Sequence, residues 1–299
     1  MYDIIIIGAG PAGMTAALYA KRANKKVLVL EALNYGGQII NTVDIENYPT
    51  QEHISGYDFA TKLYNQITEL GVEIIEEKVI SIENLKDYKK VNTKNNIYKA
   101  KAIIIATGTD NRKLNIENED KFIGKGISYC ATCDGSFYKN KNVCVVGGGN
   151  TALEEAIYLS NICNTVYLIH RRDKFRADQI LIDKLNSISN IKLVLNATIN
   201  KLNGNEKLDS IDILSNNKID TISTDALFIA IGKIPMNDIF KDIIEIDEYG
   251  YIVSDKLCHT NIPGIFVAGD IREKSLRQLV TATSDGALAA TEAVKYINQ

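Results

Sequence analysis

The chain has 299 residues, 45% hydrophobic and 24% charged, with a formal net charge of -3. That is length for two ordinary domains with real cores, and it leaves no clustered Lys and Arg excess for a nucleic-acid footprint. The first apolar run, Ile4 to Ile7, is too short for a signal-peptide core or a membrane span, so the expectation is a cytoplasmic protein without nucleic-acid or membrane partners.

Ile4 to Ile7 is also a continuous β-branched run, the pattern of a strand buried on both faces of a parallel sheet. It leads into Gly8-Ala9-Gly10-Pro11-Ala12-Gly13, a G-x-G-x-x-G, followed by a helical stretch from Met14 to Ala23 and a second strand, Val27 to Leu30, that ends on Glu31. Glycines at those positions permit a tight turn and let backbone approach a pyrophosphate, which then rests on the amide-rich start of the helix. Glu31, eighteen residues beyond Gly13, is placed to accept hydrogen bonds from a ribose hydroxyl.

The polar stretch from Tyr35-Gly36-Gly37-Gln38 to Glu46-Asn47-Tyr48-Pro49 has two readings. It is either a surface loop or a cap over the same nucleotide, with Gln38 and Asn47 offering amides to a flavin ring or its ribityl chain. Residues 57 to 70 predict an amphipathic helix, and Val72 to Ile82 with Ile97 to Ala100 predict strands of a small antiparallel piece. Ala102 to Ala106 is another buried strand; it closes on Thr107-Gly108-Thr109, where glycine again fits close passage of a cofactor. Residues 110 to 126 are polar without a strong period, and the first domain crossover is placed there.

Next comes Cys130-Ala131-Thr132-Cys133-Asp134. Two thiols at this spacing close a small disulfide ring with little rearrangement, and the thiolate of such a pair is commonly accessible at modest pH. Half a zinc site is the rival, but that needs a second Cys or His pair at ligand spacing. Cys144, Cys163 and Cys258 are isolated and no His-x-x-x-His occurs, so redox is favoured and no metal is expected.

The chain then repeats itself. Val143 to Val146 is a strand, Gly147-Gly148-Gly149-Asn150-Thr151-Ala152 is a second fingerprint with Ala in its third position, and a helix from about Leu153 to Asn161 leads to a strand from Val166 to Ile169. Adding 139 carries Gly8 to Gly147, Gly10 to Gly149, Gly13 to Ala152 and Glu31 to His170. Two dinucleotide units point to two nucleotide cofactors. Glu31 suits a free ribose diol, as in FAD or NAD. Arg171, Arg172 and Arg176 suit a 2'-phosphate, because a guanidinium fork binds phosphate bidentately, which favours NADPH over a merely solvated basic cluster. His170 either stacks on adenine or caps the strand. Residues 178 to 222 supply a helix and weak strands. Ala226 to Ala230 with Ile231-Gly232 echoes Ala102 to Gly108 and marks the end of the inserted unit. Ile265 to Ala268 is a strand leading to Gly269-Asp270, and a helix runs from about Arg277 to Ile297. Asp270 is placed to accept from a ribityl hydroxyl or to cap a helix.

With Gly36-Gly37-Gln38, Glu46 to Pro49, Ala106-Thr107-Gly108, Cys130 to Gly135, His170 to Ala177, Gly269-Asp270 and Arg277-Gln278 added to the two fingerprints, the chain resembles the bacterial low-molecular-weight thioredoxin reductases. These are two-domain flavoproteins of the pyridine nucleotide-disulfide oxidoreductase family, and the resemblance covers essentially the whole length. It implies an α/β fold of two Rossmann-like (three-layer ββα) nucleotide-binding domains, the second inserted into the first. The FAD-binding domain would be 1–113 with 241–299, the NADPH-binding domain carrying the dithiol 114–240, and the assembly a homodimer. The resemblance implies FAD contacts from Gly8, Gly10, Pro11, Ala12, Gly13, Glu31, Gly36, Gly37, Gln38, Asn47, Val79, Thr107, Gly108, Gly269, Asp270, Arg277, Gln278 and Leu279. For NADPH it implies Gly149, Asn150, Thr151, His170, Arg171, Arg172, Arg176 and Gly232.

The resemblance also implies a route: hydride from NADPH to flavin, electrons to the Cys130–Cys133 disulfide, then exchange with the disulfide of thioredoxin. By the same analogy Cys133 faces the flavin, Cys130 performs the exchange and Asp134 is the acid-base, its alternative being only to start the turn at Gly135. Nicotinamide and dithiol belong to one domain and must reach the flavin in turn, which implies rotation on hinges near residues 112–116 and 240–246. A flavin-dependent dithiol oxidase or a ferredoxin-fed reductase would have little use for the arginine cluster. A non-catalytic redox sensor is separated from an enzyme by NADPH turnover with thioredoxin.

Overall fold

The computed structural model describes residues 1–42 and 44–299; Val43, inside the polar stretch from 35 to 49, lies outside the described residues. The chain forms two compact units, Met1–Asp110 with Ile234–Gln299, and Asn111–Lys233. The sequence expectation put the borders after 113 and after 240. Both differ, the first by three residues and the second by seven, the second because Phe240 and Ile244 are buried among Ile5, Ile7, Ile103 and Val267 of the first unit. Residues 240 to 246, expected to bend, are therefore anchored in a core.

The first unit opens with β1 (Tyr2–Ile7), α1 (Pro11–Arg22) and β2 (Val27–Glu31), a β-α-β in which the strands pair in parallel. Pro11 suits the first helical position, where its missing N–H costs nothing. Helix α2 (Gly56–Glu69) starts at Ser55, whose Oγ accepts from the Asp58 N–H at 3.0 Å. Strand β3 (Glu73–Glu76) pairs in parallel with β2, and β4 (Val79–Asn84), β5 (Lys89–Thr93) and β6 (Ile97–Ile105) form an antiparallel meander.

Two expectations change here. Val72 to Ile82 is two strands in different pairings. Ile97–Ala100 and Ala102–Ala106 are halves of the single strand β6, whose first part alternates wet and dry beside β5 and whose second part, dry on both faces, pairs with β1. Lys99 and Lys101 interrupt the apolar run without interrupting the ladder. Strand β7 (Thr109–Asn111) then carries the chain out.

The second unit contains α3 (Glu119–Phe122), β8 (Ile127–Ser128), α4 (Ala131–Asp134), β9 (Asn142–Gly147), α5 (Asn150–Ser160), β10 (Thr165–His170), α6 (Gln179–Asn186), β11 (Ile191–Leu195), an antiparallel sheet of β12 (Ala197–Gly204), β13 (Leu208–Ser215) and β14 (Lys218–Ser223), and β15 (Ala226–Ala230). Its parallel sheet has the order β11-β10-β9-β15-β8. One face is covered by α5 and α6 through Leu153, Ala156, Leu159 and Leu185, the other by the antiparallel sheet through Ile199, Leu202 and Ile211. Helices on one face and a sheet on the other give the expected three layers.

Strand β16 (Lys233–Pro235) returns the chain beside β7; β17 (Ile265–Val267) adds to β6 and α7 (Leu279–Asn298) lies on α1. The first-unit sheet thus runs β3-β2-β1-β6-β5-β4, with β17 also on β6. The helix pair is close because its contact residues are small: a Cβ on Gly286 of α7 would lie 2.1 Å from the Ala12 carbonyl oxygen.

Asp285, on the same helix, holds the turn after β17. Its Oδ1 accepts from Arg272 Nη1 at 2.9 Å, and its Oδ2 from Lys274 Nζ at 2.9 Å and the Gly269 N–H at 3.2 Å. Arg272 is 8% exposed. Asp285→Ala leaves that guanidinium buried without its counter-ion, and a loss of about 3–5 kcal/mol is expected. Urea unfolding checks this; a variant within about 0.5 kcal/mol of the parent would remove Asp285 from the turn's support.

Candidate active site

The first glycine loop is fixed by two residues, Gly8 and Gly13, that have no room for a side chain. Gly8, at the end of β1, has φ +106°, and a Cβ there would sit 2.4 Å from the Ala106 carbonyl oxygen; on Gly13 it would sit 1.9 Å from the Gly8 carbonyl oxygen. Gly10 between them faces open space, with nothing within 4 Å of the same position. No side chain caps α1 and no acid lies in its first turn, so its N–H groups and the positive end of its dipole are left for an anion. Two further segments converge there. The Gly36 N–H donates to the Ala9 carbonyl at 2.8 Å, a Cβ on Gly37 would lie 3.3 Å from Gly10 Cα, and one on Gly269 2.8 Å from Ala12 Cβ. The cradle therefore fits a pyrophosphate.

Around it, Glu31 accepts from the Ala9 N–H at 2.6 Å and the Leu33 N–H at 3.1 Å, which fixes its carboxylate at the rim. Asn47 Nδ2 donates to Gln278 Oε1 at 3.2 Å, and Gln38 Nε2 to Asp110 Oδ1 at 3.3 Å. Gln278 and Thr281 form a capping box ahead of Leu279, which packs with Ile45 and Ile54. Arg277 lies 3.8 Å over the Tyr251 ring and donates to the carbonyls of Asp270 and Arg272 at 3.3 and 3.2 Å. Thr107 Oγ1 donates to the Met236 carbonyl at 2.8 Å, Gly108 beside it faces open space, and Val79 is buried at the head of β4 opposite Thr93. Sequence reasoning did not single out Arg272, Lys274 or Asp285, which brace Gly269 and Asp270 from the loop that follows and from α7.

The second unit repeats the arrangement between β9 and α5. Gly149 is the N-cap, no side chain caps α5 and its first turn carries no acid, so the residues fit a second phosphate. His170 lies beneath this loop: a Cβ on Gly148 would be 2.1 Å from its ring, which stacks on Phe175 at 5.4 Å and pairs through Nε2 with the Lys174 carbonyl at 3.1 Å. Burial, with Arg171 and Arg172 nearby, lowers its pKa and keeps it neutral. The ring occupies a packing position beneath the loop. Arg176 donates its N–H to the Gly148 carbonyl at 2.7 Å, and Arg171, Arg172 and Arg176 are all exposed. Asn150 and Asp178 exchange two hydrogen bonds of 2.9 Å, Thr151 follows exposed, and Gly232, φ +105°, faces open space.

The dithiol hangs from the sheet edge. Strand β8 pairs in parallel with β15, placing Ser128 opposite Phe228, and the next residues turn through α4 with the Cys130 and Cys133 sulfurs bonded to each other and Cα atoms 5.3 Å apart. Both cysteines are half-buried. Asp134 Oδ2 accepts from Ser128 Oγ at 2.6 Å; burial raises the Asp134 pKa and the serine hydroxyl opposes the rise. Cys144, Cys163 and Cys258 are buried, with burial pushing their thiols up to about 12, 11 and 12, so none competes as a thiolate. Among the described residues the one group suited to a metal is Asp44, Glu46 and His53, which contains no cysteine.

Two residues here escaped sequence reasoning. Ser128 carried no signal, since a serine two positions before a cysteine is common. Glu155 had one: it follows Ala152 by three and precedes Leu159 by four, which puts a carboxylate on the buried stripe of α5. Its Oε1 accepts from the Ala131 N–H at 3.5 Å, and burial pushes its pKa up to about 7, against that N–H and Lys233.

The model of the pyridine nucleotide-disulphide oxidoreductase family matches residues 2–286. The chain is 44% identical to a thioredoxin reductase of Listeria innocua, over 100% of this chain and 95% of that one, and 41% identical to that of Bacillus subtilis, over 100% and 96%. The crystal structure of thioredoxin reductase from Streptococcus pyogenes superposes with a TM-score of 0.95 at 42% identity, covering 100% of this chain and 98% of that one. The protein belongs to the pyridine nucleotide-disulphide oxidoreductase family. Within it the chain groups with the bacterial low-molecular-weight thioredoxin reductases, whose cofactors are FAD and NADPH.

Proposed function

We propose that the protein catalyses NADPH-dependent reduction of the disulfide of thioredoxin. What carries the proposal is a disulfide between Cys130 and Cys133 on a half-buried turn, with Asp134 directly behind it, in a chain whose other thiols are all buried. FAD, when bound, supplies a two-electron relay between NADPH and this disulfide.

The chain's own residues do the rest. The loop Gly8 to Gly13 with Glu31, Gly36, Gly37 and Gly269 holds FAD. The loop Gly147 to Ala152 holds the NADPH pyrophosphate, while Arg171, Arg172 and Arg176 recognise its 2'-phosphate. Once reduced, Cys130 attacks the disulfide of thioredoxin and Cys133 resolves the mixed disulfide, so that two thiols appear on thioredoxin and the enzyme disulfide returns. Asp134 holds the proton that a departing thiolate takes up.

In this proposal the first unit is the FAD-binding domain and the second the NADPH-binding domain. The second presents its loop and its dithiol in turn by bending in β7 and β16. The protein works in the cytoplasm, and no described helix is long and apolar enough to cross a membrane. It pairs as a homodimer through the groove of about 540 Å³ lined by Leu18, Tyr19, Phe59, Leu63, Val280 and Ala287.

Purified protein loaded with FAD should be yellow and should turn over NADPH, beyond one reduction of its own flavin and disulfide, only when thioredoxin is supplied. Protein that takes up no FAD, or that consumes NADPH without yielding thioredoxin thiols, overturns the proposal. Oxygen uptake driven by a substrate dithiol, without use of NADPH, would identify an oxidase instead.

A further inference from the structure

Ser128 is 4% exposed, and its hydroxyl meets three groups. It lies 2.6 Å from Asp134 Oδ2, 3.3 Å from the Cys130 carbonyl oxygen, and accepts from the Cys130 N–H at 3.1 Å. A hydroxyl has one proton and two lone pairs, so it cannot donate to Asp134 and to the Cys130 carbonyl together. With Asp134 ionised, the proton points to the carboxylate. With Asp134 protonated, the carboxyl donates to Ser128 Oγ and the serine proton turns to the Cys130 carbonyl. The Cys130 N–H has its acceptor in both states.

We propose that Ser128 is a positioning residue that transmits the protonation state of Asp134 to the backbone of Cys130. When Asp134 gives its proton to a thiolate, one thiol and one carboxylate result. Ser128 then supplies that carboxylate with a donor while releasing the Cys130 carbonyl. This assignment rests on Asp134 acting on the dithiol as proposed above. The other titratable groups facing the turn are Glu155, from α5 onto the Ala131 N–H, and Tyr138, whose raised pKa comes from burial first and from the Asp134 charge second. Neither has a hydrogen bond to Ser128, so among these titratable groups its removal acts directly on Asp134, besides taking the acceptor from the Cys130 N–H.

The test is the pH profile of thioredoxin reduction by the FAD-loaded enzyme, with flavin content and flavin bleaching by NADPH as controls for folding. Ser128→Ala removes a donor to the ionised form, so the limb belonging to Asp134 should move up by about one pH unit. Ser128→Thr keeps the hydroxyl and should keep the limb in place. Asp134→Asn should abolish the limb, and adding Ser128→Ala to it should cost less rate than it costs the parent, since the Cys130 N–H loses its acceptor in either background. A limb that survives Asp134→Asn defeats the role of Asp134 itself. If that limb is lost, yet Ser128→Ala leaves it at its parental pH or slows the Asp134→Asn enzyme as much as the parent, the role of Ser128 alone is overturned. A Ser128→Thr limb displaced as far as that of Ser128→Ala also overturns it.

Discussion

Cys130→Ser is expected to abolish thioredoxin reduction, by on the order of 10³-fold or more, while NADPH still bleaches the bound flavin. The loss is large because the exchange is a sequence of sulfur displacements, and an alcohol of far higher pKa neither attacks a disulfide nor forms one. The bleaching persists because the loop Gly147 to Ala152 and the helix α5 behind it owe nothing to the thiol. The remaining thiols cannot substitute, since Cys144, Cys163 and Cys258 are buried and protonated far above neutral pH. Rapid-mixing absorbance separates the two half-reactions. Turnover of thioredoxin by the variant would exclude the dithiol route. Cys133→Ser refines the assignment: if Cys130 is the attacking thiol, this variant should accumulate a mixed disulfide with thioredoxin that mass spectrometry detects.

Replacing Arg171 and Arg172 together by Ala should raise KM for NADPH on the order of 10- to 100-fold and leave KM for NADH within about twofold. Both side chains are exposed at the end of β10, and Asn196 donates its N–H to the Arg172 carbonyl at 3.3 Å, so the backbone beside them is held by the bend between β11 and β12. Their removal should cost little stability, which isolates the effect on the phosphate. Steady-state kinetics with the two nucleotides decides it; equal changes for both would mean that the cluster only colours the surface charge. Higher salt should narrow the difference between the nucleotides in the parent enzyme, because exposed charges are screened.

The frame of the protein was legible where local chemistry allows one solution. Glycine at 8, 13 and 147 was readable because each backbone there passes another too closely for a Cβ, and the apolar runs at 4–7, 102–105 and 143–146 because strands covered on both faces need no alternation. What stayed hidden depends on distant partners. Asp285, Arg272 and Lys274 look like ordinary charged residues until α7 folds back over the turn after β17. Ser128 and Glu155 approach the dithiol turn from a sheet edge and a helix face; the spacing of Glu155 puts it on the buried stripe of its helix but does not say which turn it meets there. Lys99 and Lys101 disguised β6 as two strands because a ladder continues through polar residues whose side chains reach water. Phe240 marks the border misplaced by seven residues, 240 against 233, since an aromatic in a polar segment does not say which core it joins.

The inserted unit leaves and rejoins the first through adjacent strands: the Arg112 N–H donates to the Gly232 carbonyl at 3.1 Å, and the Met236 N–H to the Gly108 carbonyl at 3.1 Å. A chain segment whose two ends meet costs its host almost no loop-closure entropy beyond that of a short turn. Residues 111 to 233 are in that sense a cassette: the host sheet closes between β6 and β17 whatever lies between 110 and 234, and a different nucleotide-binding module with equally close ends could be spliced at the same two peptide bonds.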